Sequence, residues 1–519
     1  MAEIELKLGA APSDLPALKR ALEAMGKPSG TASLISTYYD SSDFKLRKRH
    51  LTLRVREQGR RRVQTMKADD LMSADLAVRG EWEDVIGGDK PDLDAPHTGR
   101  RLARQVDTAD LRPLFKTIVR RTAIDLEPRA STRIEAAIDE GEIRSITGDA
   151  AEPISEIELE LKSGDRAALY DVALKLLDIA PLRIEARSKA ERGYELFAPE
   201  LGAPAPVQVA PAALDAAMTV ETVLQTIGRE CLAHLLLNEP AALANQPEGI
   251  HQMRVAVRRL RSVLSALKRM LSAEHHHWLS DELRWLAGSV GPARNWDAFG
   301  ATLLEPVERA LPGESDLERL AEAAERRRHA AHDEAKQVIL SREHTATVLR
   351  LARWFESRGW RDQPLSEPAA LLLASIGTIA PGLIDRRWRQ TRKRSRRFRE
   401  LAPDQRHQLR IALKKLRYTI EFLQSLFDRR DVKPFVKVLR RLQDDLGQIN
   451  DVRTARQLVD EISHHADRNG VAIARAGGIV LGWHGRRLID REPKLEKHVR
   501  RLRRVKPFWP RKRLVQAGP

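Results

Sequence analysis

The apolar residues of the chain change their spacing on either side of a proline-rich segment at residues 201–214. Before this segment, runs such as EIELKL and SEIELELK alternate apolar and charged residues, which is the period of a β-strand. After it, apolar residues recur every three or four positions, which is the period of an amphipathic helix. The sequence therefore predicts an α+β multidomain protein, with an N-terminal antiparallel β domain flanked by helices and an all-helical C-terminal domain.

The length and the distribution of charge agree with this division. A chain of 519 residues is too long for one ordinary core. We predict a β domain at residues 1–200, a linker at 201–214, a helical domain at 215–505 and a basic tail at 506–519. Residues 1–200 carry 33 Lys and Arg against 36 Asp and Glu, whereas the remainder carries 57 against 37. The excess positive charge implies an anionic partner such as nucleic acid, an acidic membrane surface or polyphosphate.

Composition also indicates the compartment. A single cysteine, Cys231, excludes a disulfide framework and a cysteine-rich zinc site, which is typical of a reducing cytoplasm. The N-terminus is charged from Glu3 onward and does not resemble a secretory signal. The apolar segment Ala369–Ile384 contains Gly377 and Pro381 and is shorter than a membrane span, so a buried helix is expected there. We therefore expect a cytoplasmic protein without a membrane span, and the sequence does not define its oligomeric state.

Several predicted strands place carboxylates two residues apart, so that they share one face. On an ordinary half-exposed sheet each such face would be solvated. Other strands carry cations at the same period, and if the sheet closes, both sets line its interior. Carboxylates suit Mg²⁺ or Mn²⁺, and a metal together with cations is what phosphoryl transfer requires. The carboxylates are Glu3, Glu5, Glu81, Glu83, Glu156, Glu158 and Glu160, and the cations are Lys7, Arg54, Arg56, Lys67, Arg121 and Lys162.

These motifs resemble the CYTH domain of the triphosphate tunnel metalloenzymes. The E-x-E-x-K opening is followed in order by STYYDSSDFKLRKRHLTLRVRE, IDEGEI, SEIELELK and SKAERGYEL, over about residues 1–200. The resemblance implies an eight-stranded antiparallel tunnel that binds triphosphate with divalent metal. It implies catalytic roles for Glu3, Glu5 and Lys7, with Asp139 facing the tunnel, and it leaves open which of Glu156, Glu158 and Glu160 hold metal. The implied metal ligands are Glu3, Glu5, Glu81, Glu83, Glu156 and Glu158, and the implied phosphate contacts are Lys7, Arg54, Arg56, Lys67, Arg121, Arg183 and Lys189.

The helical half contains a repeat. HQMRVAVRRLRSVLSAL begins at His251 and HQLRIALKKLRYTIEFL at His407, 156 residues later. LAGSVGPARNWDAF and LQDDLGQINDVRTA form a second pair at the same spacing, which indicates duplication of a helical unit. Each first motif presents one His and three cations on one helical stripe without an acid, and a bound anion would remove the repulsion within it. The stripes are His251, Arg254, Arg258 and Arg261, and His407, Arg410, Lys414 and Arg417.

The duplicated pattern resembles the CHAD domain over about residues 215–505. This resemblance implies two pseudo-symmetric four-helix bundles that bind inorganic polyphosphate in a basic groove. Trp388 and Phe398 could stack on bases, but aromatic residues are not interleaved with the basic stripes, which argues against single-stranded nucleic acid.

The function expected from the sequence is Mg²⁺- or Mn²⁺-dependent hydrolysis of inorganic triphosphate, with polyphosphate bound by the helical domain. Alternative tunnel substrates are thiamine triphosphate, another nucleoside triphosphate, or ATP cyclised to cyclic AMP. A further alternative is a non-catalytic polyphosphate-binding protein associated with polyphosphate granules. Binding of the basic half to duplex DNA also stays open.

Overall fold

An antiparallel sheet of nine strands organises the N-terminal region in the computed structural model, which describes residues 3–68, 77–106, 110–199, 204–465 and 470–509. The first strand, β1, pairs with β8 along one edge and with β5 along the other, which closes eight strands into a ring. The short β9 pairs with β1 beyond the end of β5. The strands are β1 (Glu3–Ala10), β2 (Gly26–Asp40), β3 (Leu51–Gln58), β4 (Arg61–Ala68), β5 (Ala77–Ile86), β6 (Arg112–Arg129), β7 (Thr132–Ser145), β8 (Ala151–Ser163) and β9 (Leu182–Ile184).

Helices cover the outside of this ring. The aliphatic residues that alternate with the charges of β1, Leu6 and Leu8, are fully buried, as the strand period predicts. Helix α1 packs on β2 and β6, and α4 packs on α1, β6 and β8. The antiparallel tunnel of eight strands with flanking helices is therefore confirmed. The helices of this region are α1 (Leu15–Met25), α2 (Lys45–Lys48), α3 (Gly99–Leu102), α4 (Ala167–Ile179) and α5 (Lys189–Phe197).

The remainder of the chain is helical, which confirms the all-α C-terminal region. Short 3-10 turns and a π-helical segment at Phe299–Leu304 connect several of the helices. The helices are α6 (Val220–Leu236), α7 (Glu239–Leu243), α8 (Pro247–Leu267), α9 (Ala273–Ser289), α10 (Gly291–Ala298), α11 (Glu305–Ala310), α12 (Ser315–Ile339), α13 (Arg342–Glu356), α14 (Glu367–Ala370), α15 (Ile376–Arg394), α16 (Pro403–Leu423), α17 (Arg429–His465) and α18 (Gly470–Arg504).

The chain forms two compact units that do not follow the sequence order. One unit contains residues 1–208 together with 232–244 and 339–359, so the strands share it with α7 and α13. Helix α13 packs on α4 and on β9. The other unit contains residues 209–231, 245–338 and 360–519. Within it, helices α15 to α18 pack successively, α15 on α16, α16 on α17 and α17 on α18, as expected for a bundle.

Two predictions concern apolar or terminal segments of the second unit. The prediction of one buried helix over Ala369–Ile384 is wrong for its first half, since Leu371 and Leu373 are exposed in a 3-10 turn. Helix α15 begins only at Ile376, and from there Ile376, Ala380 and Ile384 are buried. In the described part of the chain, no helix is both long and apolar enough to cross a membrane. The predicted tail begins with residues that pack, since Phe508 and Trp509 are buried and their rings contact Phe435. Residues 510–519 of that tail, and residues 201–203 of the predicted linker, lie outside the described residues.

Candidate functional site

A cavity of about 330 Å³ runs inside the ring of strands. All eight ring strands contribute to its wall, since alternation sends every second side chain inward. Among the described residues, seven cations and seven carboxylates line it, so this part of the wall is electrically balanced and strongly polar. They are Lys7, Arg54, Arg56, Lys67, Arg121, Lys162 and Lys189, and Glu5, Glu81, Glu83, Glu135, Asp139, Glu158 and Glu160.

Lys189 enters this cavity from a helix rather than from a strand. Ser188 and Glu191 form a capping box, in which each side chain accepts a hydrogen bond from the backbone of the other, and this starts α5 at Lys189. Gly193 lets α5 approach the sheet, because a Cβ atom there would lie 2.1 Å from the ring of Phe115. The tyrosine of the same motif, Tyr194, donates to the carboxylate of Asp40 at 2.8 Å. The SKAERGYEL motif thus fixes the lysine against the tunnel wall.

The ammonium group of Lys189 lies among three carboxylates. Its Nζ is 2.7 Å from Asp139, 2.5 Å from Glu156 and 2.8 Å from Glu158. Burial alone would lower the pKa of Lys189, but these three carboxylates outweigh it and hold the pKa well above its usual value. Arg121 also contacts Asp139, at 2.6 Å, and Glu158. The three carboxylates are therefore neutralised by cations of the protein.

Glu156 is withdrawn from the cavity. It is 2% exposed and does not line the cavity wall, and its two oxygens accept from Lys189 and from Arg192, the latter at 2.9 Å. Glu158 and Glu160, by contrast, face the cavity. Burial would raise the pKa of Glu158, but Lys189, Arg121 and Lys7 hold it well below its usual range. Of the three glutamates whose roles the sequence left open, Glu158 and Glu160 are thus in contact with the cavity and Glu156 is not.

A second group of carboxylates offers oxygen donors to the cavity. Glu5 on β1 is paired in register with Glu160 on β8, which is paired with Glu135 on β7, so the three lie across adjacent strands. Glu5 lies 3.0 Å from the Nζ of Lys7, and Glu160 lies 2.6 Å from that of Lys162. Hard carboxylate oxygens from neighbouring strands are the donor set that Mg²⁺ and Mn²⁺ prefer. Donors of the type that a divalent metal prefers thus line the cavity here, while among the described residues the three carboxylates whose oxygens lie within 4.8 Å of one another are Asp139, Glu156 and Glu158.

Glu81 and Glu83 belong to another part of the wall. Glu81 is 3.1 Å from the Nζ of Lys67 and 3.6 Å from a guanidinium nitrogen of Arg54. Glu83 accepts a hydrogen bond of 2.9 Å from the hydroxyl of Thr65, its register partner on β4. Both carboxylates face the cavity, as their alternation around Trp82 predicts.

Arg54 and Arg56 form a cationic patch with Tyr38, and Glu81 lies 3.6 Å from Arg54 at its edge. Burial, Arg54 and Arg121 lower the pKa of Arg56 to about 10. Burial would raise the pKa of Tyr38, but Arg54 and Arg56 outweigh it and lower the pKa. The Nε of Arg54 is buried, and among the described residues it has no hydrogen-bond partner. An anion at this patch would satisfy that donor and relieve the repulsion between the two guanidinium groups.

The helical unit contains a second cationic cluster, where α8 and α16 pack together. Arg258 of α8 lies close enough to Arg410 and Lys414 of α16 to lower their pKa values. Burial, Arg410, Arg258 and Arg417 lower the pKa of Lys414 to about 7. Burial, Arg258 and Arg294 lower the pKa of Arg254 to about 10. The two predicted stripes therefore converge on one cluster.

Hydrogen-bond donors of this cluster are unsatisfied. The Nε atoms of Arg258 and Arg410 are buried, and within the described residues they have no hydrogen-bond partner, whereas the Nε atom of Arg417 lies 3.4 Å from a carboxylate oxygen of Glu421. Buried donors without partners are rare in folded proteins because each costs about 1–3 kcal/mol. An anion bound between α8 and α16 would remove both this cost and the like-charge repulsion.

Comparison with known proteins matches two family models to this chain. Residues 1–194 match the sequence model of the CYTH domain, and residues 226–460 match that of the CHAD domain. The chain contains a CYTH domain and a CHAD domain. Over 197 residues it is 33% identical to an inorganic triphosphatase of Haemophilus influenzae, an alignment that covers 37% of this chain and 54% of that relative. The chain thus spans about half the length of the curated relative that it matches.

Solved structures resemble the CHAD domain in particular. The crystal structure of the CHAD domain from the plant Ricinus communis is 28% identical, with a TM-score of 0.51, and covers 58% of this chain and 98% of that one. A Hippeastrum protein described as an adenylyl cyclase with a dominant triphosphatase activity is 17% identical, with a TM-score of 0.29. It covers 37% of this chain and 95% of that one, and its TM-score is too low for an inference.

One predicted phosphate-binding residue of the CYTH domain, Arg183, lies elsewhere. Arg183 does not line the tunnel cavity. It lies on β9, where its guanidinium is 3.2 Å from Glu185, beside a smaller cavity of about 100 Å³. Glu3 lies on β1 opposite Arg79 of β5, and its side chain falls outside the described part of the chain.

In the CHAD domain, the predicted stripe that begins at His251 differs from the prediction in two ways: one of its members lies in another group of cations, and a further arginine lies beside it. Burial, Arg387, Arg394 and Arg261 lower the pKa of Lys415. Arg261 therefore belongs to the cations around Lys415 rather than to those around Lys414. Arg294 of α10 was not predicted, and with burial it lowers the pKa of His251. Among the described residues, Trp388 and Phe398 are buried, so neither is available for stacking on a base. The unpredicted Arg294 lies in the GPARNWD segment, whose partner in the repeat has a different sequence.

Proposed function

We propose that the chain is a divalent-metal-dependent triphosphatase that hydrolyses inorganic triphosphate inside the CYTH tunnel. The observation that supports this most is the cavity inside the closed ring of strands, where cations and carboxylates together line a space of about 330 Å³. Charge stabilisation and positioning supply most of the catalysis of phosphoryl transfer, and this wall offers both.

Each face of the tunnel has a separate role in this proposal. Arg54 and Arg56 bind phosphate oxygens with donors that are directed into the cavity, and Lys7, Lys67 and Arg121 add further positive charge. Glu5, Glu158 and Glu160 hold Mg²⁺ or Mn²⁺, with Glu81 and Glu83 nearby. When bound, the metal neutralises phosphate charge and activates water. Lys189 and Arg192 keep Glu156 and Asp139 in place, so these two carboxylates shape the wall.

The lining favours an inorganic substrate over a nucleotide or thiamine triphosphate. Of the described residues that line the tunnel, Tyr38 is the sole aromatic one, and its ring is stacked on Phe115 with centroids 4.7 Å apart. Beyond Tyr38, a base or thiazolium ring would therefore find no aromatic surface among the described residues of the wall. Cyclisation of ATP would require the adenine to be held, and so it is the less favoured alternative.

Phosphate release from tripolyphosphate, ATP and thiamine triphosphate, with Mg²⁺ and with Mn²⁺, tests this proposal in the full chain. We expect fastest turnover of tripolyphosphate, and loss of metal-dependent release in Glu5→Gln. Lys19→Gln, on the outer helix α1, is a matched control that should leave the rates unchanged. Release from none of the three would favour the non-catalytic binding protein, and faster release from ATP would overturn the substrate assignment.

We further propose that the cluster between α8 and α16 binds inorganic polyphosphate. The buried, unsatisfied Nε atoms of Arg258 and Arg410, together with the neighbouring charges of Lys414 and Arg417, support an anion with several oxygens. Such binding would bring the protein to polyphosphate granules. Long-chain polyphosphate and duplex DNA should be compared at equal ionic strength, because phosphate contacts depend strongly on salt. Tighter binding to DNA would contradict the proposal.

A further inference from the structure

The second half of the helical unit contains an apolar cavity beside its cationic stripe. The cavity has a volume of about 330 Å³ and lies between α16, α17 and α18. Leu446, Ile449, Val452 and Leu488 form its apolar wall. His407 and Arg410, two members of the predicted stripe, also line it, so the apolar space and the anion-binding cluster are contiguous.

The internal repeat explains why this cavity exists. At the offset of 156 residues, Val452 corresponds to Trp296 and Ala455 to Phe299. Trp296 is 2% exposed and Phe299 1%, and their rings contact each other edge to face at 5.8 Å. The first half thus fills its interior with an indole and a phenyl ring at the positions where the second half has two small aliphatic side chains. Space for a planar ring is left in the second half.

The residues at the rim of the cavity also differ between the two halves of the repeat, and here the second half has the additional positive charge. Arg406, Arg453 and Arg456 line the cavity, and the corresponding residues of the first half are Ile250, Asp297 and Gly300. The half that lacks the two aromatic rings therefore has three arginines that the other half lacks. Arg406 is held by Glu492 through two contacts of 2.7 and 2.9 Å, whereas Arg453 is 64% exposed at the rim. This combination of an apolar interior and a cationic rim complements a ligand with an aromatic ring and several negative charges.

We propose that this cavity is a binding site for a purine nucleoside triphosphate. The bicyclic base occupies the place that Trp296 takes in the other half, in contact with Ile449, Val452 and Leu488. The phosphates extend onto His407, Arg410 and Arg453. Guanidinium groups at the rim can also lie over the ring face, which adds a favourable cation–π contact. The site is distinct from the tunnel, and it rests on the phosphate-binding role proposed for the stripe.

Binding of the β,γ-imido analogue of ATP and of inorganic tripolyphosphate to the full chain, by calorimetry in EDTA, tests the site. The ring should improve affinity about tenfold over tripolyphosphate, which is within the range that base contacts contribute. Val452→Trp should abolish this advantage by filling the cavity, and should leave the affinity for tripolyphosphate unchanged. Val471→Trp, which places the same ring at an exposed position of α18, is the matched control and should retain the advantage.

A second variant and a spectroscopic measurement keep the test decisive if Val452→Trp does not fold. Leu488→Trp fills the cavity from α18, and in the unmodified chain the methyl resonances of Ile449 and Val452 should shift with the ATP analogue but not with tripolyphosphate. Equal affinity for the two anions, or an advantage that survives in folded Val452→Trp and Leu488→Trp, would overturn the site. Tighter binding of palmitate than of the analogue would overturn the purine assignment. Absence of binding by every phosphate anion would instead contradict the role of the stripe.

Discussion

The Nε atom of Arg342 in α13 donates to the backbone carbonyl of Leu177 in α4 at 3.0 Å. On the same pair of helices, Arg353 forms an ion pair with Asp171. Apolar residues pack beside these contacts, since Val348, Leu349 and Phe355 of α13 are fully buried. A helix from residues 342–356 thus stabilises the outside of the tunnel, although the tunnel motifs end near residue 197.

We therefore expect a fragment of residues 1–200 to be less stable than the same residues in the full chain. Loss of the apolar contact with α13 should cost at least about 3 kcal/mol, since each buried aliphatic side chain contributes about 1.5–3 kcal/mol. Amides of β6 and β8, on which α4 packs, should then exchange with solvent about 100-fold faster, which hydrogen–deuterium exchange measures. Equal exchange rates in the fragment and the full chain would contradict this expectation. Arg342→Ala in the full chain should produce a much smaller change.

Glu5 and Glu156 should respond differently to amidation. Glu5→Gln removes a cavity-facing donor, so Mn²⁺ affinity and tripolyphosphate hydrolysis should fall, the latter about 100-fold. Glu156→Gln instead removes the carboxylate that Lys189 and Arg192 share, and loss of one partner of a buried ion pair costs about 3–5 kcal/mol. Thermal unfolding and Mn²⁺ titration of both variants separate the two effects. Glu152→Gln, which removes a half-buried partner of Arg192, is the control for Glu156→Gln, and a similar loss of stability in both would show that Glu156 is not specially placed.

Arg258 should contribute more than Arg261 to polyphosphate binding. Arg258 lies near cations of both helices, whereas Arg261 belongs to the neighbouring group around Lys415. A hydrogen bond to a charged group contributes about 1.5–3 kcal/mol, so Arg258→Gln should weaken binding at least about tenfold. Arg258→Gln should also leave the free energy of unfolding unchanged or raise it, because it relieves repulsion. Titrations with long-chain polyphosphate and thermal unfolding of both variants provide the measurement, and an equal loss in Arg261→Gln would disprove the division of the stripe.

Lys414 should make polyphosphate binding dependent on pH. Its pKa in the ligand-free protein is about 7, so it is charged at pH 6 and mostly neutral at pH 8.5. The polyanion favours the charged form, and affinity should therefore fall as pH rises from 6 to 9, by up to about tenfold per pH unit. Because the unfolded chain keeps a lysine pKa of about 10.4, it binds more protons in this window, and the stability of the ligand-free protein should rise with pH. Dissociation constants at fixed ionic strength test this, and an identical pH profile in Lys414→Arg would rule out Lys414 as the titrating group.

Strand alternation was sufficient to predict much of the tunnel wall. Glu5, Lys7, Arg54, Arg56 and Lys67 all line the cavity, because the side-chain period of two is a local property of each strand. The same alternation cannot say how far along the tunnel a residue lies. Glu156 and Glu158 point to the same side of β8, yet only pairing with β1 and β7 determines which of them faces the open cavity.

Contacts from elements distant in sequence were not predictable in this way. The partners of Lys189 depend on how α5 docks on the sheet through Gly193 and Phe115, which no local pattern encodes. Arg183 is carried by a three-residue strand, too short for alternation to define an inward face. In the helical half, the repeat located both stripes, but Arg294 has no cationic counterpart at the equivalent position 450. Comparison of the two repeats therefore predicts the cations that both halves share. It cannot predict a cation such as Arg294 that only one half has.

The closure of the sheet through β1 has a consequence for how the protein reaches its native state. Strand β1 precedes all the other described strands in the chain and pairs with β5, β8 and β9. Its register partners in β8 lie about 150 residues later, and those in β9 about 175 residues later. Contacts of such high sequence separation slow folding, since the entropy of loop closure must be overcome before they form. During synthesis β1 therefore emerges before its partner strands exist. Its backbone hydrogen-bonding groups are then unpaired, and this amphipathic strand could pair with the wrong segment. Rapid completion of the tunnel, and later the arrival of α13, would protect the nascent chain from aggregation.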